Sequence, residues 1–139
     1  MRSLPPVDVI VCVHNAISHT LRLLDSLECC APGEVHLTVV DDQSEPHAAS
    51  ILRDRIRTFR SGRYIRTDER LYYTGAANLG ISATSREFLL LLNSDTIVPI
   101  SLLPSLLSPF EKDQRLGIVS PLSNAAGWQS MPFLSLIHI

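Results

Sequence analysis

Lysine is nearly missing. The 139 residues hold one lysine, Lys112, against eleven arginines, and the formal net charge is −2. The arginines form no run, so they read as a scattered, solvated set, and nothing in the charge pattern points to nucleic acid. Cysteine is scarce too: Cys12, Cys29 and Cys30 are an odd set, two of them adjacent, with no C-x-x-C or Cys/His ligand spacing. That excludes a disulfide framework and a structural zinc site, and reduced packing thiols of a cytosolic chain are expected. Long apolar runs are absent. Phe88 to Leu92 is an unbroken but short run, and Ile97 to Phe110 is interrupted by Pro99, Pro104 and Pro109, so neither reaches the ~20 residues that span a bilayer. Met1 to Pro6 lacks the apolar stretch of a signal peptide. No G-x-G-x-x-G follows the first apolar run, and neither a P-loop nor a G-x-S-x-G elbow occurs.

What is present is a folded chain. With 45% hydrophobic and 19% charged residues it is too apolar for disorder, and its length suits one domain that buries about two-thirds of its unfolded surface. Val7 to Val13 is a β-branched run, the pattern of a strand buried on both faces. The period then changes. Ile17, Leu21, Leu24 and Leu27 predict the inner face of a helix over Ala16 to Cys30, with Arg22, Asp25 and Glu28 outside. Val35 to Val40 predicts a second buried strand. Pro46 to Phe59 predicts a helix with Ile51, Ile56 and Phe59 inward and Arg53, Asp54, Arg55 and Arg57 outward. Tyr64 to Thr67 is a short third strand, Thr74 to Ser85 a small-residue helix, and Phe88 to Leu92 the most apolar strand of all. A helix over Ser101 to Asp113 and a fifth strand over Leu116 to Ser120 complete the pattern. Apolar strands alternating with helices imply an α/β fold, a mostly parallel sheet covered on both faces.

Ligands of such sheets bind beyond the carboxyl ends of the strands, and polar clusters stand there: His14-Asn15, Asp41-Asp42 and Asn93-Ser94-Asp95. A carboxylate after the second strand accepts hydrogen bonds from a base edge or a ribose hydroxyl. Acids at a strand-to-helix junction serve as readily to cap backbone N–H groups. Asn93 and Asp95 present hard oxygens to a divalent cation, with one carboxylate too few to hold it alone, so a diphosphate is expected to complete the shell. The same pair is also at home in a plain turn. Gly75 to Gly80 allows either close approach of a ligand to the backbone or close packing of a helix on the sheet.

In this order and at these spacings the clusters resemble the family 2 glycosyltransferases, which have the GT-A fold. The matching segments are VDVIVCVHNA (Val7 to Ala16), LTVVDDQS (Leu37 to Ser44), TGAANLGI (Thr74 to Ile81) and FLLLLNSDTIVP (Phe88 to Pro99). SPLSNAAGWQSMP (Ser120 to Pro132) is similar to a segment of bacterial members and, with the N-S-D turn, suggests rhamnosyl-type transfer. The resemblance implies a three-layer, Rossmann-like α/β/α domain over residues 1–132 that holds a nucleotide-sugar donor. Val13, His14, Asn15, Asp41, Asp42, Ser44, Gly75 and Asn78 are its implied nucleotide-binding residues, with Asp42 as the base contact. Asn93, Ser94 and Asp95 are the implied diphosphate and metal site, with Asp95 holding Mg²⁺ or Mn²⁺. The implied reaction is inverting transfer of the sugar to an acceptor hydroxyl of a glycan, lipid or protein, in cell-surface polysaccharide synthesis. It would run in the cytoplasm or at the inner face of the membrane, with any membrane contact made through parts beyond this chain. Uridine, guanosine and thymidine diphosphate donors all fit. A non-catalytic nucleotide-binding module and a nucleotidyltransferase are the alternatives. The latter usually opens on a Gly-rich basic loop, which HNAISHT (His14 to Thr20) is not.

In that family the catalytic base lies well downstream of the metal-binding turn. Here 44 residues follow Asp95, and none after Asp113 is acidic. The base is therefore expected beyond the C-terminus, and Phe133 to Ile139 reads as a tail foreign to the domain. This yields a first prediction: the 139-residue chain, given donor, Mn²⁺ and acceptor, shows no turnover above background, since general-base help supplies roughly 10²–10⁴-fold. Robust transfer in a product assay would place the base inside the chain, with Asp68 and Glu69 the first candidates.

Overall fold

The computed structural model describes residues 4–30 and 35–121. The tail Phe133 to Ile139 and all but the first two residues of the Ser120 to Pro132 segment therefore lie outside the described residues. Strands β1 (Val7–Val13), β2 (Val35–Asp41), β3 (Gly62–Arg66) and β4 (Phe88–Asn93) alternate with helices α1 (Ile17–Cys30), α2 (Pro46–Thr58), α3 (Tyr72–Ser82) and α4 (Leu102–Lys112). The four strands form one parallel sheet in the order β3-β2-β1-β4. This is the expected three-layer α/β arrangement. The chain divides into two compact units at Ser101. All four strands and the first three helices lie in the first unit. In the second, α4 buries Leu103 and Leu107, four residues apart on one face.

Alternation of side chains along a strand explains how the two sheet faces are filled. Ile10 and Val40 point to one face, where they pack with Ala76 of α3. A Cβ built at Gly80 would stand 2.6 Å from Ile10 Cγ2 and 3.2 Å from Val40 Cγ2. The small residues of α3 thus let the helix lie close on the sheet. Val9, Val11, Val13, Leu37 and Val39 belong to the other face and are fully buried or nearly so. Leu23, Leu24 and Leu27 of α1 and Leu52 and Ile56 of α2 are buried as well, and these two helices pack on each other.

Four expectations need correction. The inner face of α1 is Thr20, Leu23, Leu24 and Leu27, while Ile17 and Leu21 are only half-buried. Thr20 can go inside because its hydroxyl donates to the Ala16 carbonyl at 2.7 Å. On α2 the buried set is Ala48, Ala49, Leu52 and Ile56, with Ile51 half-buried. Arg55 turns toward α1 instead of solvent, pairing with Asp25 at 2.9 Å and Glu28 at 2.8 Å. Strand β4 is the sheet's edge, so Leu89 and Leu91 are 38% and 41% exposed despite the most apolar sequence in the chain. Leu116 to Ser120 is irregular rather than a fifth strand, with Leu116 and Ile118 exposed. Gly117 in its middle has no side chain to pack, which weakens a strand locally.

The contact at Gly80 yields a prediction. Alanine there gains helix propensity worth about 1 kcal/mol, but its methyl must push against two fully buried strands, and overpacking costs roughly 1–3 kcal/mol. Gly80→Ala is expected to lower the urea midpoint. An unchanged or raised midpoint would mean that α3 can lift from the sheet freely.

Candidate functional site

Parallel register brings the polar clusters to one edge. Val13 is paired with Asp41 and Cys12 with Asn93, so β1, β2 and β4 end together. Two strand spacings, about 10 Å, separate the outer two of these three ends. Three non-glycine residues among those described have positive φ: Asn15 at 57°, Gln43 at 60° and Tyr72 at 57°. Asn15 and Gln43 lie in the connections that follow β1 and β2, and Tyr72 is the first residue of α3, after β3. Asn tolerates this geometry, whereas for a bulky Tyr it stores strain of about 1–3 kcal/mol. The three positive-φ residues thus collect at the carboxyl edge, and backbone strain of this kind commonly accompanies functional sites.

The loops there are tied by side chains. Asn15 donates its backbone N–H to Ser44 Oγ at 2.9 Å and accepts from the Glu45 N–H through Oδ1 at 2.7 Å, clamping the β1 turn to the β2 turn. His14 Nδ1–H donates to the Asp42 carbonyl at 2.9 Å, and Asn15 Nδ2 reaches His14 Nε2 at 3.3 Å. Those two partners call for the tautomer with its proton on Nδ1. Asp41 is fully buried. One carboxylate oxygen accepts the Ser44 N–H at 2.9 Å, and the other accepts from the Tyr64 hydroxyl and from Arg66 at 2.6 Å. Burial pushes this carboxyl up, but the hydrogen bonds from Ser44 and Tyr64 and the Arg66 charge outweigh it and hold it below the usual carboxylate range. Burial, and then the neighbouring Asp41, raises the Tyr64 phenol, which therefore stays a donor.

Asp42 is 3% exposed and differently engaged. Its Oδ1 accepts from the Leu71 N–H at 2.7 Å and the Thr67 hydroxyl at 3.2 Å, and its Oδ2 faces Arg70 Nε at 2.9 Å. Beside it opens a cleft of about 150 Å³ lined by Val13, His14, Asp42, Arg70, Tyr72 and Tyr73, with Cys12 and Ala76 at its base. The Arg70 guanidinium lies over the Tyr72 ring, 5.3 Å from its centroid, and Tyr72 and Tyr73 are 70% and 53% exposed. Burial and the nearby Asp42 charge push the Cys12 thiol up to about 11, so at neutral pH it is no nucleophile.

The expected site residues are thus distributed unevenly. Val13, His14 and Asp42 line the cleft. Asn15, Asp41 and Ser44 brace the loops behind it. Gly75 and Asn78 ride on α3, where Asn78 is exposed and a Cβ at Gly75 would meet Leu71 Cβ at 2.8 Å. Asn93 ends β4 and Ser94 and Asp95 follow it at the same edge, outside the cleft lining, with Asn93 and Asp95 exposed and the Asn93 carbonyl accepting the Thr96 N–H at 3.2 Å. No group of three His, Cys, Asp or Glu side chains fit to hold a metal occurs among the described residues. The donors at the N-S-D turn, one carboxylate with amide and hydroxyl oxygens, are hard ligands of the kind that suits Mg²⁺ or Mn²⁺ shared with a diphosphate. Sequence reasoning missed Arg70, Tyr72 and Tyr73. Two adjacent tyrosines two residues after an arginine, at the start of the helix that follows β3, were the available signal.

A parallel sheet with helices on both faces belongs to the open α/β class of folds, whose ligands bind beyond the carboxyl ends of the strands. The profile of Glycosyl transferase family 2 matches residues 8–127, and the chain belongs to that family. Among solved structures it is similar to S. aureus TarS 1-349 in complex with UDP-GlcNAc, at a TM-score of 0.69 and 18% identity over 84% of this chain. It is also similar to the mannosyltransferase PcManGT from Pyrobaculum calidifontis in complex with GDP-Man and Mn²⁺, at 0.69 and 20% identity over 77% of this chain. The chain spans 38% and 32% of those two structures. No curated protein matches it significantly.

The buried Asp41 generates an acid-stability prediction. A carboxyl held below its unfolded value contributes stability above the ordinary carboxylate range and loses it as pH falls through the folded-state value. Asp41→Asn, which leaves Arg66 and Tyr64 with a poorer partner, should cost roughly 1–3 kcal/mol at neutral pH. Denaturant titrations at several pH values should show that gap closing below about pH 4. A gap constant with pH would mean that the charge of Asp41 is irrelevant.

Proposed function

We propose that this chain is the donor-binding half of an inverting, metal-assisted glycosyltransferase that uses a nucleoside diphosphate sugar. One observation carries the reading: in a chain of this family, Asp42 and the Asn93–Asp95 turn stand at the carboxyl ends of β2 and β4, the two strands that flank β1 in one sheet. In this reading residues 1–132 are the nucleotide-sugar domain. Two similar structures hold UDP-GlcNAc and GDP-Man, one of them with Mn²⁺, which supports the donor class and a divalent ion without choosing the base or the sugar.

The chemistry assigned to each residue follows from its surroundings. Tyr72 and Tyr73 offer exposed rings beside the cleft for the flat face of a base. Asp42 accepts from the base or ribose once Arg70 leaves its Oδ2, and the released guanidinium is then free for a phosphate. Asn15, Asp41 and Ser44 hold the loops so that this rearrangement stays local. Asp95 and Asn93 would hold Mg²⁺ or Mn²⁺ on the diphosphate. When bound, such an ion supplies positive charge for the leaving group. Inversion needs a carboxylate base for the acceptor hydroxyl, and this reading puts it outside the chain. A role in cell-surface glycan synthesis at the inner face of the membrane accords with the sequence resemblance. No helix among the described residues is long and apolar enough to cross a membrane.

The test is calorimetry with nucleoside diphosphates, with and without Mn²⁺. Binding of nucleotide and metal should strengthen each other by the same factor. Asp95→Asn should remove that coupling while leaving a folded protein. Asp42→Asn should weaken the nucleotide even without metal, by roughly tenfold, about 1.4 kcal/mol. Unchanged coupling in folded Asp95→Asn would reduce Asp95 to a turn residue and contradict the proposal.

A further inference from the structure

The opposite end of the same sheet holds a second cleft, larger and of different chemistry. Its volume is about 490 Å³, and Arg57, Arg60, Arg63, Arg86 and His36 stand around it, with Asp8 in its wall. The arginines that look scattered in the sequence are gathered here by topology. Arg57 lies in the last turn of α2, Arg60 follows it, Arg63 is the second residue of β3, and Arg86 precedes β4. We propose that this amino-edge cleft binds a compact phosphate-bearing anion, at a site separate from the nucleotide cleft.

Charge bookkeeping supports a ligand rather than simple helix capping. Basic residues commonly complement helix C-termini, and Phe59 and Ala83, the C-caps of α2 and α3, both line the cleft. Arg63 does use one N–H on the Ala83 carbonyl at 2.9 Å. Each helix end carries roughly half a negative charge, and Asp8 adds one that is already met by the N–H groups of Ser85 and Arg86, both at 3.0 Å. Four guanidinium groups exceed that sum by about two charges. Asp54 offsets one of them only through an exposed pair with Arg57 at 3.4 Å, the kind worth little in water.

The groups are also partly preorganised. Arg63 is pinned by Ala83. Arg86 is held through its backbone N–H to Asp8 and reaches His36 Nδ1 at 3.5 Å, and Ser61 Oγ meets the same nitrogen at 2.8 Å. Arg60 has no hydrogen-bond or ion-pair partner among the described residues. Guanidinium forks around a concave, polar floor, one of them tied by Ala83, match a tetrahedral or bridged phosphate better than they match a flat surface. Affinity for such a ligand should fall with added salt.

The experiment is calorimetric titration of the 139-residue chain with inorganic pyrophosphate in EDTA, so that metal-dependent binding at the N-S-D turn is silent. A second arm uses vesicles of phosphatidic acid in phosphatidylcholine. Pyrophosphate should bind, and Arg60→Ala/Arg86→Ala should weaken it at least about tenfold. The Arg60→Lys/Arg86→Lys protein, which keeps charge but not the fork, should fall between the two. Nucleoside diphosphate binding with Mn²⁺ should be unchanged in both variants, which separates this site from the proposed donor site. Pyrophosphate binding that survives in the folded alanine variant, its absence at roughly 10 mM ligand, or binding to vesicles alone would each overturn the proposal.

Discussion

The carboxylate of Asp41 is the constraint on which the carboxyl edge depends. It has no exposed surface, and its donors come from the β2 turn, from Tyr64 and from Arg66. Because both β3 partners follow from parallel pairing with β2, the sheet register and the loop geometry are solved together. A buried charge of this kind costs several kcal/mol if any donor is misplaced, which makes the arrangement specific rather than merely stabilising. Asp42 inherits its position from that anchor. Its neighbour faces inward to hold the fold, and Asp42 itself faces the cleft.

The division of labour between the two acids is the physical reason that one edge can be both rigid and receptive. Asp41, Asn15 and Ser44 spend their hydrogen bonds on the loops. Asp42 spends one oxygen on Leu71 and Thr67 and lends the other to Arg70, whose side chain is 36% exposed. An ion pair with one exposed partner exchanges readily for a ligand contact. Strain at Tyr72 fixes the tyrosine pair beside this exchangeable group. The two sheet ends also differ in kind. At the carboxyl edge each buried acid is matched by an arginine, Asp41 by Arg66 and Asp42 by Arg70, whereas four arginines face a single aspartate at the amino edge.

Much of this was legible in the chain's periodicity. Val7 to Val13 is a strand to the residue, because an unbroken β-branched run has one place to go in a parallel sheet. The polar breaks after the first, second and fourth strands mark the carboxyl edge, where the proposed site lies. Legibility failed where burial depends on partners far along the chain. Thr20 goes inward because the Ala16 carbonyl satisfies it, and Arg55 is drawn in by acids 27 and 30 residues away. Leu89 and Leu91 look like core and are half outside because β4 ended up at the edge. Arg70, Tyr72 and Tyr73 carry no motif, and the amino-edge arginines sit on four separate elements or loops, so three dimensions were needed to assemble either group.

The central claim is that a nucleotide seats at the carboxyl edge, against Asp42 and the tyrosine pair. Backbone amide NMR of the ¹⁵N-labelled chain, titrated with a nucleoside diphosphate in the presence of Mg²⁺, reads this most directly. Shifts concentrated at His14, Asp42, Arg70 to Tyr73 and Asp95, with Arg57 to Arg63 and Arg86 unmoved, are the predicted result. Shifts confined to the arginine-rich end, or spread without any at Asp42 and Tyr72, would contradict the account.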